Sequence, residues 1–169
     1  MKLLSVVVPC YNSEEYMRHC IESLMPGGSD VELIIVDDGS TDKTAEIADE
    51  YAKTYPTIVK VIHQENGGHG AAVNTGIKNA SGLYFKVVDS DDWVDGSAYQ
   101  KILDTIKKFT DNKELIDMFI SNFVYEKKGA KYKKVMKYEN VLPKEMVLTW
   151  DDVKHFRKGQ YILMHSVIY

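Results

Sequence analysis

Four short apolar runs, at residues 4–8, 32–36, 58–62 and 84–88, punctuate the first half of the chain, with a helical pattern between each pair. The first two, Leu-Ser-Val-Val-Val and Glu-Leu-Ile-Ile-Val, are β-branched and nearly continuous in hydrophobicity, as expected of strands buried on both faces. Asn12 or Ser13 can cap a helix over residues 14–25, with Glu14 and Glu15 at its positive end and Pro26-Gly27-Gly28 closing it. A second helix begins at Thr41 or Asp42, gathers Ile47, Ala48, Tyr51 and Ala52 on one face, and stops at Pro56. A third covers about residues 71–80, with Gly82 past its end. Strand and helix in strict alternation with short connections predict an α/β fold, a mostly parallel central sheet flanked by helices. In such sheets ligands bind beyond the carboxyl ends of the strands.

Every unusual polar cluster falls at one of those ends: residues 9–12, 37–42, 65–70 and 89–92. The last reads Asp89-Ser90-Asp91-Asp92, with Asp95 close behind. Carboxylates this crowded repel one another unless a cation or solvent relieves them, and carboxylate oxygens are preferred ligands of Mg²⁺, Mn²⁺ and Ca²⁺. Asp and Ser are also turn formers, so a solvated acidic turn is the competing reading. Convergence of four clusters on one cleft favours the metal. Gly67, Gly68 and Gly70 allow close backbone approach ahead of a helix N-terminus, which suits an anion. Tyr11 can offer an aromatic face to a ligand, or can be a half-buried aromatic on the core rim. Asp38 ends the second strand and can accept a hydrogen bond from a ligand N–H. Gly39 reads as a turn residue, Thr41 and Asp42 as helix caps, and His69 as a loop histidine.

With 169 residues, 44% of them hydrophobic, the chain can bury a core, and its net charge of −4 argues against nucleic acid as a partner. Cys10 and Cys20 do not make a metal spacing and suggest reduced thiols of a cytoplasmic protein. The N-terminal apolar run breaks at Pro9, too short for a signal peptide, and no later run is long enough to span a bilayer.

Beyond Trp93 the pattern loosens: a helix at 99–109, a strand within 117–125, a basic stretch at 127–137 read as a hairpin or exposed loop, a short helix from Asp151 or Asp152 to about 157, and an apolar run at 161–169. Residues 1–96 are expected to form a ligand-binding βαβ half and 97–169 the start of a second half of the same domain. The apolar run at the end suggests a fragment of a longer protein.

Val8-Pro9-Cys10-Tyr11-Asn12, Val36-Asp37-Asp38-Gly39-Ser40-Thr41-Asp42, Asn66-Gly67-Gly68 through Asn74, and Asp89-Ser90-Asp91-Asp92-Trp93 together resemble, in order, the motifs of family 2 glycosyltransferases. The resemblance covers roughly the first hundred residues. It implies the GT-A fold, a Rossmann-like sheet, and transfer of a sugar from a nucleotide diphosphate donor, such as a UDP-sugar, to a saccharide or lipid-linked acceptor with inversion. By resemblance Pro9, Tyr11, Asp38, Gly68, Asn74 and Asp89 would bind the donor, and Asp91 and Asp92 the metal, Mg²⁺ or Mn²⁺. The family often has a basic residue just before the Asn; here it is Val73, so that cationic contact is missing or supplied elsewhere, as by His69. The general base belongs to the later, acceptor-binding part, and no convincing match precedes Tyr169. Asp151 and Asp152 qualify by residue type only, and helix capping explains them better. The resemblance implies a cytoplasmic enzyme of bacterial surface polysaccharide synthesis, with peripheral association at the inner membrane face open to it. The alternative is a donor-binding fragment or pseudo-enzyme without the base. A nucleotidyltransferase would need a basic phosphate-gripping loop near the N-terminus, and residues 9–12 are not one.

Overall fold

The computed structural model describes residues 1–114, 116–126 and 133–169. They divide into two compact units, Met1–Leu115 and Ile116–Tyr169. In the first unit, strands β1 (Leu4–Cys10), β2 (Val31–Asp37), β3 (Val59–His63) and β4 (Tyr84–Val87) form a parallel sheet in the order β3-β2-β1-β4. β1 and β2 are central, paired from Leu4↔Val31 to Cys10↔Asp37, and Val6, Val7, Val8, Ile34, Ile35 and Val36 are fully buried. These are the continuous apolar runs, covered on both faces as their composition requires.

Helices α1 (Met17–Leu24), α2 (Thr44–Thr54) and α3 (His69–Asn79) are the crossovers. α3 lies close on β1 because Gly76 has no side chain: a Cβ there would strike both γ-methyls of Val7 and sit 2.9 Å from its Cβ. Pro9 is tolerated in a central strand for a geometric reason. Alternate residues of β1 face β4, the pairing with β4 ends at Val7↔Val87, and so the N–H that Pro9 lacks has no ladder partner to lose. Near the opposite end of the sheet Glu32 accepts hydrogen bonds from the Ser5 hydroxyl and from the backbone of Ser81 and Gly82, tying three segments together.

Three predicted helix starts shift. α1 begins at Met17, not residue 14, and has no side-chain cap, because Asn12 and Ser13 spend their polar atoms elsewhere. α2 begins at Thr44; Asp42 accepts its N–H at 2.9 Å and also that of Glu14 at 3.1 Å. α4 (Gly96–Asp111) extends the predicted helix by three residues toward the N-terminus and is capped by Asp95, which accepts from Ala98 N–H at 2.9 Å. Asp95 is therefore a cap and not a member of the acidic cluster.

In the second unit the expected strand at 117–125 is two short strands, β5 (Phe119–Ile120) and β6 (Phe123–Tyr125). β6 pairs antiparallel with β7 (Lys134–Met136), and β5 pairs antiparallel with β8 (Val167–Ile168). The part of the basic stretch at 127–132 lies outside the described residues, while Lys133 pairs with Glu126 at 2.7 Å. The short helix predicted at Asp151 is a single 3₁₀ turn, Trp150–Asp152, in which Asp152 accepts from the backbone of Thr149 at 2.8 Å. Capping is thus what Asp152 does here. The apolar run at 161–169 does enter a core: Ser166, Val167 and Ile168 are buried, and the His165 ring lies 5.5 Å from that of Phe123. No described helix is long and apolar enough to cross a membrane.

Candidate donor site at the carboxyl edge of the first sheet

Three of the predicted clusters follow β1, β2 and β4, and the fourth leads from β3 into α3, so parallel topology alone places them along one edge of the sheet. The chain leaves β1 through Tyr11, which is 53% exposed, and Asn12, which takes φ 49°. Asn12 tolerates that conformation because its side chain is bound: Oδ1 accepts from the Thr41 N–H at 2.8 Å, while its own N–H donates to Ser40 Oγ at 3.0 Å. The β1 and β2 loops are thereby one body, and the face of Tyr11 is left accessible beside them.

Asp37 and Asp38 end β2, and both are buried. Asp37 accepts from the Ser40 N–H at 3.1 Å and faces His63 Nδ1 at 2.9 Å, and His63 Nε2 faces Asp49 at 3.2 Å. An imidazole between two carboxylates donates from both nitrogens only when protonated; the bond to Asp37, ahead of the Asp49 contact, raises its pKa. Asp38 is 2% exposed and accepts three hydrogen bonds, from Gln64 Nε2 at 2.6 Å, Gly67 N–H at 2.9 Å and Gly68 N–H at 2.8 Å. Burial alone would raise its pKa; the donors from Gly67, Gln64 and Gly68 outweigh it and hold the carboxyl below its ordinary range. Asp38 is thus first the anchor of the glycine loop. Three acceptor directions of the carboxylate are thus used, and one on Oδ2 is not.

The loop so held turns at Gly68, with φ 84°, into the N-terminus of α3. His69, the first helical residue, reaches Asp89 Oδ1 at 2.8 Å. The glycine loop and the aspartate turn are therefore in direct contact. Asn74 lies exposed on α3, about 7 Å further along the axis.

The aspartate turn is anchored by α1 and the segment before it. Ser90 Oγ meets Ser13 Oγ at 2.8 Å, Cys20 Sγ lies 3.5 Å from the Asp89 carbonyl, the Trp93 ring packs 4.9 Å from His19, and the Val94 N–H donates to Ser23 Oγ at 3.2 Å. The side chains of Asp91 and Asp92 are exposed. Cys10 and Cys20 are free buried thiols; burial, with Asp37 and Asp42 adding, pushes Cys10 up to about 12.

Three residues of this edge carry no sequence signal for their roles. Gln64 and His63 look like the polar end of a strand, and Lys86 looks like an exposed residue of β4. Lys86 is in fact buried, and burial lowers it to about 8 against the opposing pull of Asp92. A shallow groove between α1 and α2 is lined by Glu14, Arg18, Lys43 and Glu50.

The chain matches the family model described as glycosyl transferase family 2 over residues 5–168. The uncharacterized glycosyltransferase EpsJ of Bacillus subtilis (strain 168) is 48% identical over 101 residues, 59% of this chain and 29% of its own length. The minor teichoic acid biosynthesis protein GgaA of the same organism is 36% identical over 108 residues, 60% of this chain and 24% of its own. Among solved structures, S. aureus TarS 1-349 in complex with UDP-GlcNAc superposes with a TM-score of 0.60 at 32% identity, covering 71% of this chain and 34% of that 1-349 chain. The chain thus spans between a quarter and about a third of the length of these relatives. The parallel sheet, the ordered loops at its carboxyl edge and the match over nearly the whole chain lead to one conclusion: this chain belongs to glycosyl transferase family 2.

Proposed function

We propose that the carboxyl edge of the first sheet binds a nucleotide diphosphate sugar and that the protein transfers the sugar to a saccharide or lipid-linked acceptor. The observation that carries the reading is the His69–Asp89 contact, which joins the glycine loop to the aspartate turn at 2.8 Å. An anion-tolerant loop and a carboxylate cluster in contact suit a diphosphate bridged to a cation, and few other ligands need both. The complexes of TarS with UDP-GlcNAc and with UDP support a uridine donor.

In this reading the exposed ring of Tyr11 stacks on the base, and the remaining lone pair of Asp38 accepts the base N–H. Asp89 meets the ribose, with His69 holding its carboxylate in place. Asp91 and Asp92 fit a hard divalent cation, Mg²⁺ or Mn²⁺: both are oxygen donors, and both are exposed. Such a cation would offset charge on the departing nucleoside diphosphate. Inversion requires a general base, for which no described residue stands out, so a donor-binding fragment or pseudo-enzyme remains the second reading. The teichoic acid biosynthesis relative GgaA supports a surface polysaccharide as product.

Calorimetric titration with UDP and Mn²⁺ tests the proposal. Binding is expected in the unaltered chain and is expected to weaken at least tenfold in Asp91→Ala and in Asp92→Ala. No binding with metal present, or binding indifferent to both substitutions, would refute it.

A further inference from the structure

Asp38 holds the glycine loop, but what holds Asp38 is Gln64. Its Nε2 donates to Asp38 Oδ1 at 2.6 Å, and its Oε1 accepts from Thr75 Oγ1 at 2.6 Å. Thr75 lies on α3, whose own N-terminus is the loop in question. A closed circuit results: from Thr75 in the helix body, through Gln64 and Asp38, to Gly67 and Gly68 at the helix start.

The chemistry of each link is directional. A carboxylate held ionised only accepts, so Gln64 must present its amide nitrogen. Rotating the amide by half a turn would set Oε1 against Asp38, acceptor to acceptor. Asp38 therefore sets which way the amide faces, and the Thr75 hydroxyl, donating to Oε1, ties the amide so turned to α3. Gln64 also occupies one of the two acceptor sites on Asp38 Oδ1, and Gly67 the other. The outstanding acceptor direction of the carboxylate is therefore confined to Oδ2, beside the Gly68 N–H.

We infer that Gln64, tethered to α3 by Thr75, is the positioning residue that sets both the glycine loop and the free acceptor direction of Asp38, and so selects bases bearing an N–H at that place, uracil or guanine, over cytosine. This rests on the donor-site reading for its consequence, not for its geometry. Gln64 acts through Asp38 and is assigned no contact with the nucleotide.

Two readouts on the full chain separate the relay from the donor reading. Without ligand, amide exchange at Gly67 and Gly68 is expected to accelerate about tenfold in Gln64→Leu and in Thr75→Val, with β1 and β2 amides unchanged and Thr75→Ser behaving as the unaltered chain. With UDP and Mg²⁺, Kd is expected to rise about tenfold in Gln64→Leu, with the preference for UDP over CDP reduced. In Gln64→Glu two carboxylates would face each other where 2.6 Å now separates amide from carboxylate, so UDP binding is expected to be near normal at pH 5 and to fall as the shared proton is lost. Unchanged exchange at Gly67 and Gly68 in both Gln64→Leu and Thr75→Val would overturn the relay, whatever UDP does. Weakened UDP binding without changed exchange would also overturn it, since Gln64 would then touch the nucleotide directly. Failure of the unaltered chain to bind UDP would refute the donor reading and the base selection, while the exchange data still decide the relay.

Discussion

Replacing Asp38 by Asn removes one charge and almost no volume, so its cost comes from hydrogen bonds alone. The carboxylate accepts from Gln64, Gly67 and Gly68 while 2% exposed. In Asp38→Asn the amide oxygen can keep Gln64 and Gly67, now as neutral bonds of roughly half the strength. The amide nitrogen would face the Gly68 N–H, donor to donor, and leave it without a partner. An orphaned buried donor costs about 1–3 kcal/mol, and the weakening of two charge-assisted bonds adds about 1 kcal/mol. A net loss of about 2–4 kcal/mol follows, a large share of the stability of a domain this size. Urea unfolding of both proteins at pH 7 measures it. The pH dependence supplies an internal check. Because the folded pKa of Asp38 is depressed, its contribution is fully present above the ordinary value of 3.8 and is lost as pH falls through the lower folded value. The difference between the two proteins is therefore expected to shrink from pH 7 to pH 3. A difference below about 0.5 kcal/mol at pH 7, or one that does not shrink on acidification, would refute the assignment of Asp38 as the loop anchor.

Three further outcomes are expected. The Tyr99 hydroxyl is buried against Gly27 and has no hydrogen-bond partner among the described residues, so Tyr99→Phe should stabilise by about 1 kcal/mol; destabilisation on urea unfolding would mean that the hydroxyl is bonded. Gly76→Ala forces a methyl onto Val7 of the central strand and should cost about 1–3 kcal/mol, and an unchanged thermal midpoint would contradict the packing of α3 on β1. His63→Gln removes a bridge whose pKa is raised chiefly by Asp37, so its stabilisation is present below the ordinary 6.5 and lost as pH rises through the higher folded value. With His63 44% exposed the loss should be under about 1 kcal/mol, larger at pH 6 than at pH 8.5; a larger loss at the higher pH would reverse the sign and refute the pairing.

The sheet was legible because its central strands are buried on both faces, and an apolar run such as Val6-Val7-Val8 has few other uses. Parallel alternation then placed the loops without any contact being known. The start of α1 was misread because Ser13 and Asn12 are good caps in isolation, and only the fold brings Ser90 and Thr41 to compete for them. Asp95 looked like a fourth member of an acidic cluster because spacing does not reveal that a helix begins beside it. The role of Asp38 as a loop anchor, and of Gln64 behind it, depends on partners 26 to 30 residues away in the chain and on Thr75 in the next helix. No local pattern encodes such a circuit. Loop length and residue type said that Gly67 and Gly68 could approach an anion; they did not say what holds the loop there.

The central claim is that the four loops at the carboxyl edge of β1 to β4 form one nucleotide-sugar site. Titrating isotope-labelled protein with UDP and Mg²⁺ while following backbone amide resonances tests it most directly. Perturbations concentrated at Tyr11, Asn12, Gly39, Gly67 to His69 and Asp89 to Asp92 are predicted. Perturbations confined to the α1–α2 groove around Arg18 and Glu50, or none at saturating UDP, would contradict it.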